Sequence, residues 1–442
     1  MDEVLGAFDI AAFEIAGSDR WHSAFAVSEL AALSLGAVGG ALAGLVEARG
    51  EARPDVSVDR RLASLWFSWS IHPEGWERPG AWDPIAGDYE ARDGWIRLHT
   101  NAPHHRDAAL SVLGHAAERE AVAAAVARWD AEALEQEVVL AKGAAAAMRS
   151  RTDWLAHPQG AAVASEPLVH WAHRPGSVRD WGGTASRPLQ GLRVLDLTRV
   201  LAGPVATRTL AGFGAQVLRL DPPDWKEPGV VPEVTLGKRC ARLDLKSEEG
   251  GSRFEALLAE ADILVHGYRP GALDAFLVAP ERRVELAPAL IEVSLDAYGW
   301  SGPWAGRRGF DSLVQMSSGI AEAGMNWAKV GKPHPLPVQA LDHATGYFMA
   351  AAAISALTRA VRGEVLSIAR LSLARTAEFL ARMEQSEGPE ITSSEDRDLD
   401  DWREETPWGP ARRLKPAIRV EGAPMRWASG AVDLGSGEPA WR

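Results

Sequence analysis

The stretch Pro337 to Tyr347, PVQALDHATGY, places one carboxylate, Asp342, shortly before the apolar run FMAAAAISALTRA. Ala-rich sequence with apolar residues on every side predicts a buried helix, so Asp342 falls in its first turn. Two roles suit an acid there. It can cap the helix, as Asp commonly does, or it can be a catalytic carboxylate.

Other reactive side chains are sparse. His99, His104, His105 and His157 include three imidazoles close in sequence, but adjacent His104 and His105 face different ways on a helix start and no thiolate or carboxylate pair completes a shell; no metal site is expected. Cys240 is the only cysteine in 442 residues, which excludes an internal disulfide framework, fits a reducing cytoplasm, and leaves a small buried residue as its expected role. The net charge of −13 argues against nucleic acid as a general partner. No signal peptide and no membrane span are expected, since the N-terminus opens with acids and the run LAALSLGAVGGALAGLV is short and Gly-rich.

Elements that must position Asp342 follow from periodicity. From Gly191 onward, GLRVLDLT, AQVLRLDPP, RCARLDL, DILVHGY and PALIEVSLDAYG alternate with helices such as AGPVATRTLAGFG and the Ser247-capped SEEGGSRFEALLAEA. This order predicts an α/β fold: an open parallel Rossmann-like sheet with helices on both faces, a smaller α/β domain, and a helical N-terminal segment. Loops after Leu197, Tyr268 and Leu295 should then line one ligand crevice. The first strand-helix turn, TRVLAGPVATR, lacks GxGxxG, so no nicotinamide or flavin is expected, while the Gly203-Pro204 helix start offers free N–H groups to a phosphate.

Four regions are expected. Residues 1–70 form a helical segment, 71–185 a smaller α/β domain with a hairpin around Arg92-Asp93-Gly94, 186–385 the nucleotide-binding domain, and 386–442 a C-terminal extension. The stretch from HPQG to Pro188 reads as a linker. Residues 25–50 and DVSVDRRLASLWF read as two helices, matching the order of ATGYFMAAAAISALTRAVRG and LSIARLSLARTAEFL as a partial internal repeat; at the position of Asp342 the first copy offers only Ser28 or Glu29.

Taken in order, GLRVLDLTRVLAGPVATRTLAGFGAQVLRLDPP, GKRCARLDLKSEEG, HGYRPGALDAF, IEVSLDAYGWSGPWAGRRGFDSLVQMSSGI and LDHATGY resemble the class III CoA-transferases, the family of formyl-CoA and carnitine CoA-transferases and α-methylacyl-CoA racemase. The similarity runs from about Gly191 to Leu380, with the smaller domain placed before the nucleotide-binding domain rather than after it. The resemblance implies that Asp342 is the nucleophile of an acyl-CoA:carboxylate CoA-transferase passing through aspartyl anhydride and aspartyl-CoA intermediates. It implies coenzyme A as substrate, with no tightly bound cofactor, and carries contacts onto Arg199, Leu201, Ala202, Leu243, Gly267, Tyr268, Arg269, Ala272 and Arg308. It further implies a cytoplasmic homodimer, possibly of interlocked chains, which the apolar surface of the early helices also favours. Racemases of the family carry a His where this chain has Phe310, which disfavours the alternative racemase activity; a non-catalytic CoA-binding subunit is the other alternative. Trp300, Trp304, Met316, Met325 and Trp327 are expected either in the core or around a bulky acyl group.

Overall fold

A computed structural model describes residues 1–114, 117–269, 271, 279–363 and 365–441. Seven strands form the main sheet: β1 (His170–Arg174), β2 (Arg193–Leu197), β3 (Gln216–Asp221), β4 (Lys238–Arg242), β5 (Ile263–His266), β6 (Ile291–Asp296) and β7 (Leu366–Ser372), in the order β4-β3-β2-β5-β6-β7-β1. All pairs are parallel except β7 with β1. Runs such as Val194-Leu195 and Ile263-Leu264-Val265 are apolar on both faces because helices cover both sides, so these strands lack polar alternation. The chain runs outward from β2 to β4 and then returns to β5 on the other side of β2. The crevice therefore opens beyond the carboxyl ends of β2 and β5, where such a reversal leaves room for a ligand.

Six helices matter for the site: α1 (Val27–Ala48), α2 (Arg60–Trp66), α3 (Ala202–Gly212), α4 (Asp311–Ser317), α5 (Ala340–Val361) and α6 (Leu373–Leu380). Helix α5 packs between α1 and α3, and its whole Ala340–Leu357 stretch is buried. Close approach to α3 depends on Gly346, where a Cβ would lie 2.3 Å from the Ala202 carbonyl oxygen. Helix α1 is long and apolar enough to cross a membrane, yet its most apolar window lies wholly inside the fold. The apolar surface expected to face a partner chain is thus covered within the chain itself, by α5 and by the strand Val56–Asp59.

Two expectations change. DVSVDRRLASLWF splits into that strand and α2, because the β-branched Val-Ser-Val pairs with Glu14–Ala16 while Asp59 caps α2, accepting from Leu62 N at 2.9 Å. The expected linker supplies the helix Pro158–Ser165 and edge strand β1, since β7 would otherwise present an unpaired row of backbone groups.

The smaller region has its own core, built on Ile85, Ile96, Leu98, Val122 and Leu134, beneath the expected hairpin Gly87–Glu90 and Trp95–Leu98. The C-terminal strands Leu399–Thr406 and Gly409–Leu414 extend a sheet with Ile71–Pro73, and Ile418–Val420 pairs with Val56–Asp59. A buried ionic network fastens these pieces to the main domain. Glu233 accepts from Ser70 N at 3.0 Å and Ser70 Oγ at 2.6 Å and pairs with Arg208 and Arg413, while Arg413 also pairs with Glu404 at 2.6 Å. Burial would raise Glu233, but the Arg208 and Arg413 guanidiniums outweigh it and hold the carboxyl at about 2. Cys240 is buried in β4, as expected, with its thiol pushed up to about 12 by burial.

Candidate active site

Asp342 is the third residue of α5, whose N-cap residue is Gln339 and carries no side-chain cap bond. The capping role falls instead to Asp311, the first residue of α4. Its Oδ2 accepts from Leu341 N at 2.9 Å and Asp342 N at 3.0 Å, while Gln315 Nε2 donates to Oδ1 at 2.5 Å. Gln315 in turn accepts from Leu336 N at 2.8 Å, tying the 333–339 segment to the same point. With the first-turn amides already satisfied, the Asp342 carboxyl is left without a hydrogen-bond donor or cation among the described residues. It is 8 % exposed, and that exposure is to a cavity of about 240 Å³.

Electrostatics follow from this arrangement. Burial, and then the neighbouring Asp311, push the Asp342 carboxyl well above the usual range. Burial raises Asp311 to about 6 in spite of the three donors that favour its charged form. The two acids titrate as a pair, so the first proton lost makes the second harder to remove.

The cavity draws walls from distant parts of the chain: Phe67 and Trp69 after α2, Trp82 and His99 from the smaller region, Val200 and Leu201 from the β2–α3 turn, and Phe310 beside Asp311. Val200 sits at φ 65, a conformation costing a β-branched residue about 1–3 kcal/mol, and is held there by donating its N–H to Glu227 at 2.9 Å. Unlike α5, α3 has no side-chain cap on its N-terminus, so its first amides remain available.

The expected CoA contacts fall in two places. Leu201 borders the cavity at Asp342, with Ala202 buried beside it. Arg199, Leu243, Gly267, Tyr268 and Arg269 lie at the carboxyl edge of the sheet: Arg199 donates to Tyr268 Oη at 3.1 Å and stacks on Trp225 at 5.0 Å, and Leu243 packs with Tyr268 on the same satellite core. Arg308 is half-buried and lowered by burial and by Arg269, and no carboxylate among the described residues pairs with either guanidinium. Ala272 lies outside the described residues.

Sequence reasoning did not assign site roles to Asp311, Gln315 or the aromatic residues of the first 100 positions; the dense Trp content of residues 66–82 was their one local signal. The residues expected either in the core or around an acyl group do not line this cavity. Trp300 donates to the Leu371 carbonyl at 2.9 Å, Trp304 stacks on Arg307 at 3.9 Å, Trp327 is exposed beside His22, and Met316 borders a neighbouring cavity. His99 stacks on Phe310, and His104 and His105 tilt against each other at 4.1 Å.

A doubly wound sheet whose switch point opens beside an unpaired, buried carboxylate defines an α/β protein with a candidate ligand site at that point. Residues 189–397 match the family "CoA-transferase family III". Among similar proteins, "Probable fatty acyl-CoA transferase Rv3272" of Mycobacterium tuberculosis is 31% identical over 202 residues, covering 42% of this chain and 51% of its own length. "Succinyl-CoA:glutarate CoA-transferase" of Mus musculus is 33% identical over 205 residues, covering 43% and 46% respectively. The crystal structure of Rv3272 from M. tuberculosis in its orthorhombic form aligns with a TM-score of 0.40 and 30% identity, over 44% of this chain and 57% of that one. The chain thus spans about half the length of these relatives.

Proposed function

We propose that the chain moves CoA from an acyl-CoA to a carboxylic acid through covalent intermediates on Asp342. Support comes above all from the uncapped, unpaired Asp342 carboxyl facing a cavity, in a chain whose relatives bear CoA-transferase names. An acid sealed by packing would favour a scaffold. In the cycle, an oxygen of ionised Asp342 attacks the thioester carbonyl carbon; the C–S bond breaks, giving a mixed anhydride and CoA thiolate. The thiolate attacks the aspartyl carbonyl, and the first acid departs as its carboxylate. An acceptor carboxylate then attacks the aspartyl-CoA thioester and releases the thiolate again. Attack of that thiolate on the acceptor's acyl carbon forms the new thioester and restores Asp342. Four displacements balance with no net proton and no redox change. A buried carboxylate beside another acid is more basic than a solvated one, which favours attack once its proton is gone. The amides of α3, aimed at the same region, suit a developing oxyanion or a phosphate.

For coenzyme A, Arg199, Arg269 and Arg308 are the phosphate contacts in this proposal, with Leu201, Ala202, Leu243, Gly267, Tyr268 and Ala272 along the nucleotide and pantetheine path. The racemase alternative meets Phe310, a ring with no exchangeable proton. The partial repeat also belongs to the proposal. Helices α1 and α5 each have 22 residues, each leads through a strand into a short helix capped by that strand's last residue, and Glu29 matches Asp342 as the third residue. Glu29 is bound by Arg60 at 3.3 Å and Ser386 N at 2.9 Å, so of the two matched acids Asp342 alone lacks a donor among the described residues. A homodimer is retained as the proposed assembly, to be measured by light scattering.

The direct test is intact-protein mass spectrometry after incubation with acyl-CoA thioesters and hydroxylamine. A hydroxamate on Asp342 that requires acyl-CoA supports the mechanism; CoA binding without any such mass change would overturn it. Asp311→Asn should move the pH dependence of trapping towards lower pH, because removing the neighbouring acid lowers the proton affinity of Asp342. An unshifted profile in that variant would show that Asp311 does not tune the nucleophile.

A further inference from the structure

The cavity of about 240 Å³ at Asp342 is larger than the roughly 150 Å³ that accommodates benzene in a protein interior. Its aromatic walls are held from behind. Phe310 and His99 overlay at 3.6 Å between ring centroids with planes 1° apart, forming a flat double layer. Trp69 is stacked by Arg78 at 4.0 Å and Trp82 by Arg97 at 5.1 Å. Asn101 fixes the loop that carries Trp82, accepting from Asp83 N and donating to the Ala81 carbonyl, each at 2.9 Å.

Charge is distributed in one sense only. Among the described residues no Lys or Arg lines the cavity, and Arg97 is engaged by Asp88 at 2.6 Å. Burial holds the two bordering imidazoles, His99 and His343, at about 3, so they are neutral at pH 7. Asp311 and Asp342 are the acidic side chains present. A second carboxylate on a substrate would enter without a cation and beside two acids. Three polar atoms of the lining are buried with no partner among the described residues, His99 Nδ1, His343 Nδ1 and Ser312 Oγ, and a buried hydroxyl such as that of Ser312 points to an acceptor atom on a ligand.

Resting on the assignment of Asp342 as acyl acceptor, we propose that this site takes a bulky, uncharged acyl group bearing an aromatic or alicyclic ring, and refuses dicarboxylic acyl groups. The ring lies against the Phe310–His99 layer, Trp82 closes over it, and Ser312 donates to an oxygen of the bound thioester. Discrimination comes from burial: apolar walls reward the ring and leave an extra carboxylate unpaired.

The test compares benzoyl-CoA, cyclohexanecarbonyl-CoA and succinyl-CoA at equal concentration on the full chain, with hydroxylamine present. CoA release gives the rate, and the mass of the Asp342 peptide gives the site. Ring-bearing thioesters should exceed succinyl-CoA by about 10²-fold or more in kcat/KM. Trp82→Ala, at a position 47% exposed and so tolerant of replacement, should shrink that ratio by about 10-fold. Equal or faster Asp342 labelling by succinyl-CoA would overturn the substrate class while leaving the transferase intact, as would a ratio untouched by Trp82→Ala. Failure of every thioester to label Asp342 would overturn the transferase proposal and this one with it.

Discussion

Replacing Asp342 with Asn should eliminate the trapped adduct and turnover while raising the unfolding temperature at neutral pH. The two effects share one cause. An amide of nearly the same shape has no oxygen able to form the anhydride, and loss of a covalent nucleophile commonly costs about 10⁴-fold or more in kcat. In the unfolded chain, Asp342 loses its proton near its ordinary value of 3.8; in the fold, burial and Asp311 keep the proton on to much higher pH. The native state therefore binds more protons than the unfolded state across that interval, and stability falls as pH rises through it. Asn has no proton to lose, so the variant escapes the loss. The expected gain is about 0.5–2 kcal/mol at pH 7, with little difference from the parent below pH 3.8. Calorimetry of both chains across pH decides the matter. A variant less stable than the parent at pH 7 would mean that the carboxylate is stabilised in the fold, contrary to its unpaired placement.

The largest loss of stability should follow Arg413→Ala. This guanidinium is 2% exposed and joins Glu233 to Glu404 while donating to Ser70 Oγ at 2.9 Å and to the Pro232 carbonyl at 2.8 Å. Its removal strands buried carboxylates, a change that typically costs about 3–5 kcal/mol. For a chain of this size the unfolding temperature should drop by on the order of 10 °C. The pH dependence has the opposite sign to that of Asp342. Glu233, held at about 2 against an ordinary 4.5, contributes stability that is present above 4.5 and lost as pH falls through 2. With Arg413 gone, that loss should begin at higher pH. An unchanged unfolding temperature would show that the C-terminal strands are fastened elsewhere, and would loosen the argument that Phe67 and Trp69, next to Ser70, are rigid parts of the cavity wall.

Much of the framework was legible in local sequence. Strands β2 to β6 and their helices are encoded within about ten residues each, as apolar runs punctuated by Gly, Pro and capping residues. Ser247 caps its helix as expected, accepting from Gly250 N at 3.0 Å, and Asp342 lies in the first turn of α5. Local pattern stopped short where a residue's role is set by a distant partner. A carboxylate in a first helical turn reads as a cap, and only the arrival of Asp311, 31 positions earlier in the chain, occupies the amides and frees Asp342. An edge strand such as β1 is specified chiefly by the open edge of β7 rather than by its own composition, HWAHR. The cavity depends still more on tertiary contacts. Phe67, Trp82 and Phe310 belong to separate elements, and the packing of α1 on α5, with the Glu233–Arg413 pair spanning 180 positions, brings them to one carboxylate. Type and period of side chains determined which elements form; which polar groups are left unsatisfied, and therefore reactive, was decided by what those elements pack against.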